Sequence, residues 1–252
     1  LYHAHALRAC GRVDHKDAFM DSHPIERERG ITIFSDQACF DYDGDTWYLV
    51  DTPGHADFSS EMERALSVVV SAVEGVQSHT ETLWRLLERY QVPAFVFLNK
   101  IDRAGADADA VIARIRERLS GDVLDLRNSF SADGTLNGEA IEAVAGGDEA
   151  LLERYFTDGY DRDAFLESLR RQVRERRAFP LMAGSALRGE GIEDFLNMLS
   201  LLTPTDYERH ESEPLQARAA KVRYDAQGSR MVFLKLTAGT LQARGEIDTP
   251  QG

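Results

Sequence analysis

Cysteine is scarce: only Cys10 and Cys39 occur in 252 residues. That is too few for a disulfide framework and points to a reducing, cytoplasmic setting, with each thiol expected as a small buried hydrophobe. No run of about 18 apolar residues appears, so neither a membrane-spanning helix nor a membrane partner is expected. The first residues show no charged stretch followed by an apolar one, which speaks against a signal peptide. Basic charge is also short, 29 Lys and Arg against 43 Asp and Glu, a formal net charge of −14. Tight sequence-independent binding to nucleic acid rests on cations neutralising phosphates, and this balance disfavours it. It leaves room for a nucleotide held by backbone amides and magnesium, or for a local basic patch on a larger particle. One more absence bears on function: no glycine-rich turn ends in Gly-Lys-Ser/Thr, the loop whose backbone amides cradle phosphates.

What is present is an ordinary globular composition, 43% apolar and 29% charged, long enough for one large domain or two smaller ones. The chain opens at Leu1 rather than Met and closes on "GEIDTPQG" with no helix or strand; both ends read as cut. Residues 1–12 read as a helix tail ending near Gly11, and Val13 to Arg29 as a polar loop holding Pro24. "ITIFSDQACFDYDGDTWYLVDTPG" gives two β-rich runs joined at Asp43-Gly44-Asp45, a hairpin signal. A helical pattern starts at Phe58, with Ser59 or Ser60 as its cap. Then strand-like "SVVVSAVEG", "PAFVFLNKID" and "AFPLMAGSA" alternate with helical "SHTETLWRLLERYQV", "ADADAVIARIRERLS" and "GIEDFLNMLSLLTP". That alternation predicts an α/β fold, a doubly wound, mostly parallel sheet covered on both faces.

The alternation breaks between about 121 and 177, where two helices, around "DEALLERYF" and "DRDAFLESLRRQVRERR", are expected as an insertion on the sheet's rim. Its arginines Arg170, Arg171, Arg174, Arg176 and Arg177 suit either RNA or a solvated helix face balanced by Asp161, Asp163 and Glu167. After Thr205 the period changes to two, with turn signals at Gln227-Gly228 and Gly239. The expected division is a first domain over 1–207 and the start of an antiparallel β-barrel over 208–252, too short to close.

Four short stretches carry chemistry. In "DTPGH", Asp51 stands at a strand end where a carboxylate reaches magnesium beside a phosphate. Gly54 lets the backbone approach that phosphate, and His55 is placed to position an attacking water; a plain Asp-Thr-Pro-Gly turn is the alternative. In "NKID", Asp102 can accept guanine's N1–H and exocyclic amine, Asn99 can bond the far edge of the base, and the stem of Lys100 can lie over the ring. The alternative there is a strand-end turn with solvated charges. In "GSA", the Ala186 amide suits the guanine carbonyl and Ser185 can brace Asp102. In "ERERGITI", Thr32 offers a hydroxyl to magnesium and an amide to the terminal phosphate, while Arg29 is given no catalytic role.

Taken in order, "RGITI", "DTPGH", "NKID" and "GSA" resemble the translational GTPases of the elongation factor G superfamily. "ERERGITIFS" and "EGVQSHTETLWRLLERY" look most like the tetracycline-resistance ribosomal-protection proteins within it. The resemblance runs to about Glu246. It implies a P-loop GTPase fold and a cytoplasmic, monomeric factor that binds GTP or GDP with Mg2+ and acts on the ribosome, contacting rRNA and ribosomal proteins. Thr32 and Asp51 would serve the metal, His55 with Gly54 the attacking water, and Asn99, Lys100, Asp102, Ser185 and Ala186 the guanine. With no arginine finger evident, hydrolysis is expected to be slow alone and completed on the ribosome. Two departures stand out. The phosphate loop, which such factors carry just before the helix whose tail opens this chain, is absent, and truncation upstream of Leu1 is the expected cause. Phe58 to Val73 is also short for a helix plus a full strand. The rival expectations are a housekeeping elongation factor G-like translocase and a non-catalytic guanine-nucleotide or partner-binding module.

Overall fold

A computed structural model of the protein describes residues 36–42, 45–51, 66–204, 207–224 and 228–242. The helix tail at 1–12, the loop to Arg29 and the start of the helix expected from Phe58 fall outside these residues, as does the first half of the short Phe58–Val73 stretch. Strands β1 (Asp36–Tyr42) and β2 (Asp45–Asp51) pair antiparallel, Asp36 opposite Asp51 and Tyr42 opposite Asp45. There follow β3 (Leu66–Ser71), α1 (Ser78–Arg89), β4 (Ala94–Asn99), α2 (Ala108–Arg118) and β5 (Val123–Asp125). After these come α3 (Glu139–Gly146), α4 (Glu149–Asp158), α5 (Arg162–Arg174), β6 (Phe179–Ala183) and α6 (Ile192–Leu202). Strands β3, β4, β6 and β5 lie side by side in that order, all parallel, which is the α/β arrangement expected.

β4 explains the layering. It is buried from Ala94 to Leu98, and side chains alternate across a strand, so it feeds two cores. Val96 and Leu98 face Trp84 and Leu87 of α1 and Ile112 and Ile115 of α2, with Trp84 set edge-on to Phe179 at 4.8 Å. Phe95 and Phe97 face the other way, into α3 to α6, where Phe97 meets Phe195 at 5.0 Å. Each fully buried side chain of this size contributes about 1.5–3 kcal/mol. Aspartates begin the helices: Asp107, Asp148 and Asp161 accept backbone N–H groups of the first turns of α2, α4 and α5.

The region 121–177 is therefore not a rim decoration. It carries three helices and the short strand β5, and its helices share one core with Phe95, Phe97, Met182 and α6. The physical reason is area: two phenylalanines on one face of β4 need more cover than α6 alone provides. Four of the five arginines from Arg170 to Arg177 are engaged. Arg170 donates to the Leu201 carbonyl at 2.6 Å, Arg177 to that of Gly147 at 2.6 Å, Arg176 to that of Val92, and Arg171 pairs with Asp148. Asp161 and Asp163 pair instead with Arg154 and Arg162; only Glu167 meets a member of the run, Arg170, at 3.6 Å.

The chain divides into two units between Thr203 and Pro204. In the second, a 3-10 turn (Tyr207–His210) precedes β7 (Gln216–Tyr224) and β8 (Arg230–Ala238), which pair antiparallel with irregularities at Gln216/Ala217 and Ala219/Lys221. Val222 and its cross-strand partner Val232 are both exposed. Among the described residues no helix is long and apolar enough to cross a membrane.

Candidate functional site

Parallel strands end on the same side, so the loops after β4 and β6 emerge together, where sheets of this kind place ligands. Leu98 is in register with Ala183, which sets Asn99 beside Gly184. Hydrogen bonds then stitch the two loops: Gly184 N–H donates to the Leu98 carbonyl at 2.9 Å, and Ile101 N–H to the Gly184 carbonyl at 3.3 Å. Close approach is why residue 184 is glycine: a Cβ there would overlap the Glu190 carbonyl and stand 2.9 Å from the Phe97 ring.

Lys100 holds a left-handed backbone, φ 67°, which is uncommon for a side chain with a Cβ and concentrates at functional turns. Asn99 stabilises it. Its Oδ1 accepts the Lys100 N–H at 2.8 Å and the Ala186 N–H at 3.0 Å, so one carboxamide fixes both loops. The Ala186 amide, expected to face a base, is thus donated to Asn99 in this structure. Lys100 Nζ lies 3.2 Å from Glu74 Oε1, both side chains being nearly half exposed.

Asp102 is the most enclosed charge here, with its side chain 7% exposed. The hydroxyl of Ser185, itself buried, holds this carboxyl below the ordinary 3.8; burial opposes that effect, while the charges of Arg188 and Arg103 add to it. Arg188 Nε stands 3.1 Å from Asp102 Oδ2. Beside these loops, at the ends of β3 and β4, lies a concavity of about 390 Å³ whose lining includes Ser71, Glu74, Asn99 and Lys100. The structure thus brings together Asn99, Lys100, Asp102, Ser185 and Ala186. Asp51 closes β2 opposite Asp36, and its side chain is outside the described set. Thr32, Gly54 and His55 lie outside the described residues altogether. Sequence reasoning missed Glu74 and Arg188. The only trace of Arg188 was a cation three residues after Ser185, and nothing marked Glu74.

A model of the elongation factor Tu GTP binding domain matches residues 1–205. The chain belongs to this family. It is 33% identical over 269 residues to the tetracycline resistance protein TetP of Clostridium perfringens, covering 99% of this chain and 41% of that protein. It is 37% identical over 270 residues to the oxytetracycline resistance protein of Streptomyces rimosus (98% and 40%). The mitochondrial ribosome-releasing factor 2 of Rattus norvegicus is 30% identical over 309 residues (98% and 40%). A crystal structure of a Thermus thermophilus protein superposes with a TM-score of 0.79 at 25% identity, covering 95% of this chain and 42% of that one. The chain spans about two fifths of the length of the curated relatives it matches.

Proposed function

We propose that this chain is the guanine-nucleotide-binding part of a GTP-hydrolysing translation factor that acts on the ribosome, and that the whole protein protects the ribosome from tetracycline. The observation that carries the reading is the stitched pair of loops after two parallel strands, which set one little-exposed carboxylate, Asp102, beside Asn99, Lys100 and the Ser185-Ala186 turn. Its chemistry fits guanine, whose N1–H and 2-amino groups need a single acceptor of that charge. Asp102 already has a planar nitrogen group against it, Arg188 Nε at 3.1 Å from Oδ2. Adenine would leave the carboxylate badly paired. Lys100 supplies an aliphatic stem for the ring face, and the Ala186 amide passes from Asn99 to the base carbonyl.

The phosphate end of the reading rests on the motif order. Thr32 and Asp51 would hold magnesium, which neutralises charge on the transferring phosphate, and Gly54 and His55 would place the water. Among the described residues no group of three or more His, Cys, Asp and Glu side chains is disposed around a metal. A magnesium ion held by two side chains, waters and phosphates needs no such group. The tetracycline role rests on the names of two relatives, and the ribosome-releasing factor supports the elongation factor G-like alternative. We take the protein to act as a cytoplasmic monomer.

The test is GTP hydrolysis by the full-length protein with and without ribosomes, followed by translation in the presence of tetracycline. Ribosome-stimulated hydrolysis with restored translation is expected. Stimulation without restoration would leave a housekeeping factor, and no hydrolysis would leave a binding module. Asp102→Asn should weaken GDP binding about ten- to hundredfold, the range for losing charged hydrogen bonds.

A further inference from the structure

The Asp102 carboxylate is shared before any base reaches it. The buried Ser185 hydroxyl lowers its pKa, and Arg188 Nε lies 3.1 Å from Oδ2. With only 7% of its side chain exposed, the carboxylate leaves little room for a second donor while Arg188 stands against it. A guanidinium and the N1–C2–amino edge of guanine are alike: each is a flat fork of N–H donors matched to a carboxylate. We propose that Arg188 is a tethered competitor of the guanine base for Asp102, lowering guanine-nucleotide affinity by the fraction of time it holds the carboxylate. The inference rests on the reading of Asp102 as the guanine acceptor.

Three observations support an exchange rather than a permanent structural pair. The Arg188 side chain is 59% exposed, so its charge passes to water at little cost. A second partner is at hand, Glu190 Oε1 at 3.8 Å from Nη1. The backbone under Arg188 is fixed independently: its N–H donates to the Ser185 carbonyl at 3.0 Å, inside a turn closed by the Ser185–Glu190 bridge. The side chain can leave while the loop stays.

A fixed loop also makes the test clean, because Arg188→Ala keeps every backbone bond. In the full-length protein, R188A should lower the Kd for GDP about two- to fivefold, the range set by part-exposed ion pairs, and leave the Kd for ADP unchanged. By 15N NMR, the Arg188 Nε–H resonance should shift on addition of GDP and shift likewise in Asp102→Asn, since each releases it from the carboxylate. Unchanged or weaker GDP binding by R188A, or an Nε–H signal indifferent to both GDP and Asp102→Asn, overturns the competition. If Asp102→Asn itself leaves GDP binding intact, the guanine assignment falls and the competition with it; if Asp102→Asn weakens binding while R188A does nothing, only the competition falls.

Discussion

A single carboxylate carries the base recognition proposed for this chain, and its charge state follows from its neighbours. The Ser185 hydroxyl, ahead of the charges of Arg188 and Arg103, holds Asp102 below 3.8 against the opposing effect of burial. A depressed carboxylate favours the folded, charged form above the ordinary carboxylate range and loses that contribution only as pH falls through the lowered value. The ratio of GDP to ADP affinity should accordingly stay flat from about pH 5 to 8, the ratio cancelling titration of the phosphates. A ratio that titrates near neutrality would move recognition to another group, a histidine first. At this scale the sequence was informative where residues act through fixed spacing. Asn99, Lys100 and Asp102 follow an apolar run, and Ser185 and Ala186 follow another. It was silent on Glu74 and Arg188, because their partners, 26 positions away and in another loop, are set by strand register rather than by local pattern.

Among the elements, α5 ties the helices of region 121–177 to one another. Its buried Gln172 donates to the Val144 carbonyl at the end of α3 at 2.8 Å and to Ser168 at 3.1 Å. Ser168 in turn bonds Asp148, the cap of α4, at 2.5 Å. Three helices therefore meet at one amide. Gln172→Leu should cost about 1–3 kcal/mol by urea unfolding, since it leaves a buried carbonyl without its donor; a cost within about 0.5 kcal/mol would mean that water or a shifted helix replaces the amide. The apolar strands and amphipathic helices of the sheet were legible because each is long enough to show its period. α3 was not: "GEAIEAVAGG" is short and rich in alanine and glycine, and only Glu139 and Glu142 mark its polar face. Nor was β5, three residues long, which exists as a strand through pairing with β6. Which way the two phenylalanines of β4 point decides whether the helices lie on the rim or the face, and that is a property of the sheet.

For the whole molecule, burial is uneven. β4 is flanked by strands on both sides and packed on both faces, whereas β7 and β8 form a two-stranded ribbon with exposed apolar side chains. Opening free energies follow such differences. Native-state hydrogen exchange should find the amides of β4 and β6 among the last to exchange, and those of β7 and β8 faster by orders of magnitude; equal protection would mean that the ribbon is covered in solution. The stitching of the two base loops to Leu98 has a consequence in time. Because the Gly184 amide is bonded to Leu98 of β4 and the Ile101 amide to Gly184, parting these loops breaks backbone hydrogen bonds at the end of the sheet, an opening of microseconds to seconds. The exposed Arg188 side chain hops between rotamers in picoseconds to nanoseconds. The slow clock of the fold and the fast clock of the side chain are thus separated by orders of magnitude, and the proposed exchange of Arg188 between Asp102 and Glu190 runs on the fast one.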